Sequence, residues 1–207
     1  VGRLLDVLNG LKLTESTYVI YTTDNGPWLS FKHHGGSAGP LRDGKGTTFE
    51  GGQRVPCVMR GPGIPAGTVC NELTGTIDIL PTIAAITNAP LPAGKKIDGL
   101  DVSSLWTGKA GKSPRDEFLH YTSRGEVEGI RKGNWKLLVK KQRTRRNQKK
   151  NAPTNSGQVL LFDLGKDLGE LNNVAGQHPD IVKDLRQRME ALDKEITANA
   201  RVPWTRD

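Results

Sequence analysis

Cysteine is scarce in this chain. Cys57 and Cys70 are the only two among 207 residues and lie 13 positions apart. They fit either one bridge or a pair of buried thiols, so the redox compartment stays open. No run of about 18 apolar residues occurs, which excludes a membrane-spanning helix. The opening residues, VGRLLDVLNGLKL, have neither the basic leader nor the small-residue cleavage site of a signal peptide. The chain is expected to begin inside an element, as a fragment would, with any targeting segment upstream. No internal repeat is present. A hydrophobic content of 35% together with 25 glycines is ordinary for a globular protein and argues against wholesale disorder. Acidic residues are missing from one stretch, KKQRTRRNQKK at 140–150, which carries seven of the 30 basic residues. That stretch accounts for most of the formal charge of +8. The protein has one basic segment and is not basic throughout.

Hydrophobic spacing supplies the elements. Val1, Leu4, Leu5, Leu8 and Leu11 recur at helical intervals. Tyr18 to Thr23 is a β-branched and aromatic run that reads as a buried strand, and a helix feeding such a strand suggests an α/β sheet. The strand ends in Asp24-Asn25-Gly26-Pro27, a turn signal whose carboxylate and amide oxygens also suit a hard cation. Seven glycines lie between 35 and 52. They predict either a flexible connector or a wall of a small-anion site. Arg54–Arg60 is a second strand candidate. Thr76–Ile86 reads as a helix capped by Asp78, with Pro81 in its first turn. After Ser113-Pro114-Arg115 the texture changes. Phe118–Thr122, Val127–Arg131, Trp135–Val139 and Val159–Asp163 predict an antiparallel meander, with the basic run as a long loop at 140–157. His178-Pro179 opens a helix carrying Ile181, Leu185, Met189, Leu192 and Ile196 on one face.

Three stretches occur in a telling order. The first is a helix and a strand ending in Asp-Asn-Gly. The second is GPLRDGKGTTFEGGQRVPCVMRGPG. The third is LLFDLGKDLGELNNVA, which fits L-[YF]-D-L-x-x-D-x-x-E-x-x-N. Together they resemble the C-terminal half of a type I sulfatase, the arylsulfatase family of the alkaline-phosphatase-like superfamily, over residues 1 to about 198. The resemblance implies an α/β fold. Residues 1–112 would complete the large sheet domain, and 113–207 would form a small antiparallel sheet with a packed C-terminal helix. It implies that Asp24 and Asn25 hold Ca²⁺ or Mg²⁺ together with acidic ligands from an upstream Asp pair. It implies that Lys45, between Gly44 and Gly46, binds sulfate oxygens, and that His34, after His33, lines the substrate entrance. Arg42 and Glu50 are read as structural supports of the loop. The family's location suggests a periplasmic or secreted protein.

The nucleophile is the missing part. The family makes a formylglycine from a Cys-x-Pro/Ala-x-Arg motif, and neither Cys57-Val58-Met59-Arg60 nor Cys70-Asn71-Glu72 fits it. The chain alone is therefore expected to be inactive, and to need its N-terminal half or self-association to cover apolar surface. The substrate class implied is a sulfate ester, with a sulfated polysaccharide as one form that the basic run would dock. Three alternatives remain. A phosphoesterase of the same superfamily would use the same half. A non-catalytic polyanion-binding remnant would use the basic run, although no aromatic residue interleaves it for nucleic-acid stacking. A nucleotide-binding loop fits Gly39 to Lys45, but Gly46 stands where Ser or Thr is needed, no strand precedes it, and TTFEGGQRVP is not expected to open a helix.

Overall fold

A computed structural model describes residues 1–94, 96–140 and 157–201. The basic run beyond Lys140 and the last six residues lie outside the described residues. Contacts group the chain into two compact units that interleave in sequence. One comprises Val1–Asp24 and Pro56–Asp116, the other Asn25–Val55 and Glu117–Asp207. The change of texture expected near residue 113 falls close to the last crossing. The earlier crossings carry the glycine-rich segment into the unit of the C-terminal sheet.

In the first unit, α1 (Gly2–Gly10) follows the predicted apolar spacing, yet none of its residues is buried. Leu4, at 71% exposed, shows how bare the stripe is. The run after it forms β1 (Val19–Thr22), which pairs antiparallel with β2 (Cys57–Arg60). This corrects the expectation of a buried strand: three residues of β1 are half-buried and Tyr21 is exposed. β-branched residues favour extended backbone but do not choose the partner's direction, and Tyr21 and Val58 face outward. Pro56, which has no N–H to give a ladder, sets the start of β2 later than Arg54. Cys57 and Cys70 are free and exposed, which corrects both earlier options for them. The core of this unit is Val102, Leu105 and Trp106, the last two on α4 (Ser103–Trp106), with Ile20, Met59 and Ile86 against them.

Residues Thr76–Asp78 form a 3₁₀ turn that leads into α3 (Ile79–Thr87). Asp78 stands at the N-cap position but does not cap α3 with its side chain. Its buried carboxylate instead accepts from the backbone N–H groups of Gly75 and Leu100, both at 2.8 Å, and from Arg115. The same carboxylate thus closes the start of the 3₁₀ turn through the Gly75 N–H, as a cap, and holds a cationic partner 37 residues away.

In the second unit the meander is a four-stranded antiparallel sheet in the order β3-β4-β5-β6. The strands are β3 (Glu117–Tyr121), β4 (Val127–Lys132), β5 (Trp135–Lys140) and β6 (Gln158–Asp163). Leu119, Ile130, Leu137 and Leu161 stand opposite one another in register and face α5 (Pro179–Ala198), which buries Leu185 and Met189 against them. Because side chains alternate across a strand, the next residues point to the other face. There Leu138, Leu160 and Phe162 cluster with Phe49 of the glycine-rich segment. The sheet thus carries the C-terminal helix on one face and the Gly-Lys-Gly segment on the other.

Candidate functional site

The segment from Asn25 to Val55 is anchored to the sheet through three consecutive residues. Thr48 donates its hydroxyl to Glu128, and Lys140 lies 3.5 Å from both. Phe49 enters the core, with the Arg42 guanidinium 4.0 Å and the Lys140 ammonium 4.1 Å from its ring centroid. Glu50 opens the single-turn helix α2 (Glu50–Gln53), which corrects the expectation that no helix begins here. At four residues it is too short to make a phosphate-binding helix terminus of the loop.

Glu50 belongs to a buried ionic cluster. Its carboxylate is 2.9 Å from the Lys136 ammonium and 3.4 Å from the Arg131 guanidinium. Lys136 also lies 3.0 Å from Glu170, and both of those side chains are 0% exposed. The other Glu170 oxygen accepts the backbone N–H of Glu50 at 2.7 Å, and its carbonyl accepts from Arg42 at 2.6 Å. Two cations thus meet two carboxylates in a dry space. Burial pushes the Glu170 carboxyl above the usual range, against the opposing pull of Lys136 and the Glu50 N–H. Arg42 and Glu50 are the loop supports that the sequence suggested. Lys136, Glu170, Arg131 and Glu128 are additional.

The Asp-x-x-Glu-x-x-Asn pattern near the C-terminus has a physical reading here. Asp167 accepts the N–H groups of Leu171 and Asn172 and so holds the turn after β6. Glu170 reaches the cluster below Glu50. Asn173 accepts the Leu161 N–H at 2.9 Å on the edge of β6. The motif fastens the loop-bearing segment to the sheet.

The loop fixed in this way presents Lys45. Its N–H donates to the Pro27 carbonyl at 2.9 Å, and its ammonium stands 5.1 Å from the centre of the Trp28 ring. Gly44 before it is buried, Gly46 after it has φ of +86°, and Thr47 bonds back to the Gly44 carbonyl. Gly26 donates to Gly52 at 3.1 Å, and a Cβ on Gly26 would come within 1.7 Å of the Gly51 carbonyl oxygen. Only glycine allows the Asn-Gly turn and the Glu-Gly-Gly turn this close. The structure therefore brings the turn after Asn25 beside Lys45, which is exposed. His33 and His34 are exposed on the same segment, at the end of a 3₁₀ stretch (Leu29–His34). Asp24 is exposed in the bend after β1, and Asn25, half-buried, follows it. Both offer hard oxygen donors and fit a hard cation in type. Ca²⁺ takes 6–8 oxygens and Mg²⁺ six, so they would be a minority of any set. Among the described residues no three His, Cys, Asp or Glu side chains gather as a metal site.

The sequence and the fold of this chain are similar to those of known proteins. Residues 1–89 match the Sulfatase family. The chain is 40% identical to human arylsulfatase A over 96% of its own length and 42% of that protein. It is 30% identical to N-acetylgalactosamine-6-O-sulfatase of Bacteroides thetaiotaomicron, over 93% of its length and 39% of that enzyme. The PsFucS1 sulfatase of Pseudoalteromonas sp. superposes on 97% of the chain and 41% of its own, with a TM-score of 0.79 and 27% identity. The fold is that of the alkaline-phosphatase-like superfamily, and within it the chain belongs with the sulfatases. It spans about two fifths of the length of the relatives it matches.

Proposed function

We propose that this chain is the sulfate-binding, metal-sharing portion of a sulfuric ester hydrolase. The observation that carries the reading is Lys45, exposed on a loop whose backbone is pinned to Pro27 and to the sheet. Held there, the ammonium binds the oxygens of a sulfate ester and stabilises charge that builds on them in the transition state, a preorganised electrostatic role. Asp24 and Asn25 contribute oxygen donors to Ca²⁺ or Mg²⁺, which when bound polarises and orients the sulfate. His34 lines the approach for substrate. The nucleophile and the remaining metal ligands come from sequence outside this chain, which carries no Cys-x-Pro/Ala-x-Arg motif. By itself the chain does not turn over. The bare α1 stripe of Leu4 and its neighbours is covered by that other portion or by a second copy. A sulfated saccharide is the favoured substrate class, since one relative is named for N-acetylgalactosamine 6-O-sulfate.

Reading the coding sequence upstream of Val1 and assaying the encoded protein tests this. An Asp pair and a Cys-x-Pro/Ala-x-Arg motif, with faster hydrolysis of a sulfate than of the matching phosphate monoester, are expected. Preference for the phosphate ester would move the assignment to a phosphoesterase. Absence of both motifs would refute the catalytic reading.

A further inference from the structure

Trp28 and Phe31 stand out because they are large aromatic side chains that the fold leaves in water. Each is 52% exposed, and their ring centroids lie 4.3 Å apart at 51°. The loop that displays them is closed on itself. Trp28 donates to the Gly35 carbonyl at 2.9 Å, Phe31 to the Trp28 carbonyl at 2.9 Å, and Gly35 to Lys32 at 3.1 Å. A Cβ on Gly35 would lie 2.0 Å from the Trp28 carbonyl oxygen, so the closure depends on glycine. The pair is therefore held in place. One of its rings faces the Lys45 ammonium at 5.1 Å.

The segment that carries the pair is basic between two acidic residues, Asp24 and Asp43. From Asn25 to Arg42 there is no acidic residue, while Lys32, His33, His34 and Arg42 fall within that span and Lys45 beside it. Exposed Ser30, Lys32, His33 and His34 surround the aromatic residues in sequence and supply hydrogen-bonding groups. An aromatic pair edged by donors and cations matches a partner with one apolar face, a hydroxyl rim and an anionic group. A pyranose sulfate has all three: its C–H face lies on an aromatic ring, its hydroxyls meet the polar side chains, and its sulfate meets the ammonium. A wholly apolar partner would leave those cations and imidazoles facing hydrocarbon.

We propose that Trp28 and Phe31 form the platform on which the sugar ring of a sulfated saccharide stacks while its sulfate is held by Lys45. This rests on the reading of Lys45 as a sulfate ligand and adds the group that selects what the sulfate is attached to.

The test uses the complete encoded enzyme, isotopically labelled and with the cysteine of its Cys-x-Pro/Ala-x-Arg motif replaced by alanine so that no ester is turned over, with NMR shifts followed at the Trp28 indole and at residues 44–46. Inorganic sulfate and galactose 6-sulfate are titrated separately. The sugar sulfate is expected to bind about tenfold more tightly than sulfate, the scale of one ring stacked on an aromatic side chain. In Trp28→Ala, and separately in Phe31→Ala, which lacks the contact with Lys45, that ratio is expected to fall toward one. Lys45→Ala is expected to lose the shifts with both ligands. Equal affinities for the two ligands in the wild type, or an unchanged ratio in both aromatic variants, would overturn the platform and leave the Lys45 reading standing. No shift at residues 44–46 with either ligand would overturn both.

Discussion

Lys136 is the residue whose removal tests the anchoring of the loop most severely. It is a fully buried ammonium within 3.0 Å of two carboxylates, Glu50 and Glu170, which are themselves almost fully buried. In Lys136→Met the methylenes are largely replaced, but two negative charges remain in a dry space, with Arg131, at 3.4 Å from Glu50, the other cation paired with them among the described residues. Breaking a buried pair in this way costs about 3–5 kcal/mol. For a chain of this size each kcal/mol lowers the melting temperature by about 2–4 °C, so a fall of roughly 6–20 °C is expected. The triple variant Lys136→Met, Glu50→Gln, Glu170→Gln removes the charges together and is expected to recover more than half of that loss, because no uncompensated carboxylate is left. Thermal melts and urea titrations followed by circular dichroism measure both. A loss under about 1 kcal/mol in the single variant, or a triple variant no more stable than the single one, would refute the buried-charge reasoning.

Three further outcomes follow from other parts of the molecule. His120 on β3 is buried, and among the described residues neither ring nitrogen has a hydrogen-bond partner. Burial first, then the charges of Lys136 and Arg131, hold its imidazole well below the usual histidine range. The folded state thus keeps it neutral while the unfolded chain takes up a proton below about pH 6.5, so stability is complete above that pH and falls below it. His120→Leu should flatten urea-derived stability between about pH 6.5 and 5, and an unchanged slope would contradict the assignment. Asp78 in the first unit behaves as a carboxylate held below its usual range: burial raises it, but Arg115 and the Leu100 and Gly75 N–H groups outweigh burial. Its contribution is present at neutral pH and lost as pH falls through the carboxylate range, and Arg115→Ala should cost about 3 kcal/mol by leaving it unpaired. A melt unaffected by Arg115→Ala would count against that pairing. Finally, both cysteines should react with a thiol reagent without denaturant. Cys57 should be the slower at pH 8, because although the residue is exposed its thiol is shielded enough for burial to push its pKa up. Fewer than two reactive thiols per chain would contradict their exposure.

The parts of the fold that were legible in the sequence are those whose signal is local. The four strands of the meander emerge within one or two residues of their expected ends, because Leu119, Ile130, Leu137 and Leu161 must share one buried face. The α5 stripe is equally plain, since Ile181, Leu185, Met189 and Leu192 recur at helical spacing. What escaped was set by distant partners. The antiparallel pairing of β1 with β2 depends on a strand about 40 residues away. Asp78 reads as a helix cap and closes the start of the 3₁₀ turn, but its pairing with Arg115, 37 residues away, carries no local signal. Lys136 carries no hint of burial, because a lysine in a strand is ordinarily a solvent-facing residue. Its role becomes visible only when Glu50 and Glu170 arrive from segments 86 and 34 residues away. At the candidate site, the Gly-Lys-Gly loop and the Asp-Asn-Gly turn were recognisable as pieces. Their adjacency, through Lys45 to Pro27 and Gly26 to Gly52, is a property of the folded chain.

The central claim is that Lys45 binds and activates the sulfate ester, and steady-state kinetics of the complete encoded enzyme with Lys45→Ala address it directly. Lys45 is exposed, so the variant should fold and melt as the wild type does. Loss of one preorganised electrostatic group predicts a fall in kcat of about 10²–10³-fold on a sulfate ester. A folded Lys45→Ala enzyme with unaltered kcat and KM would contradict the account.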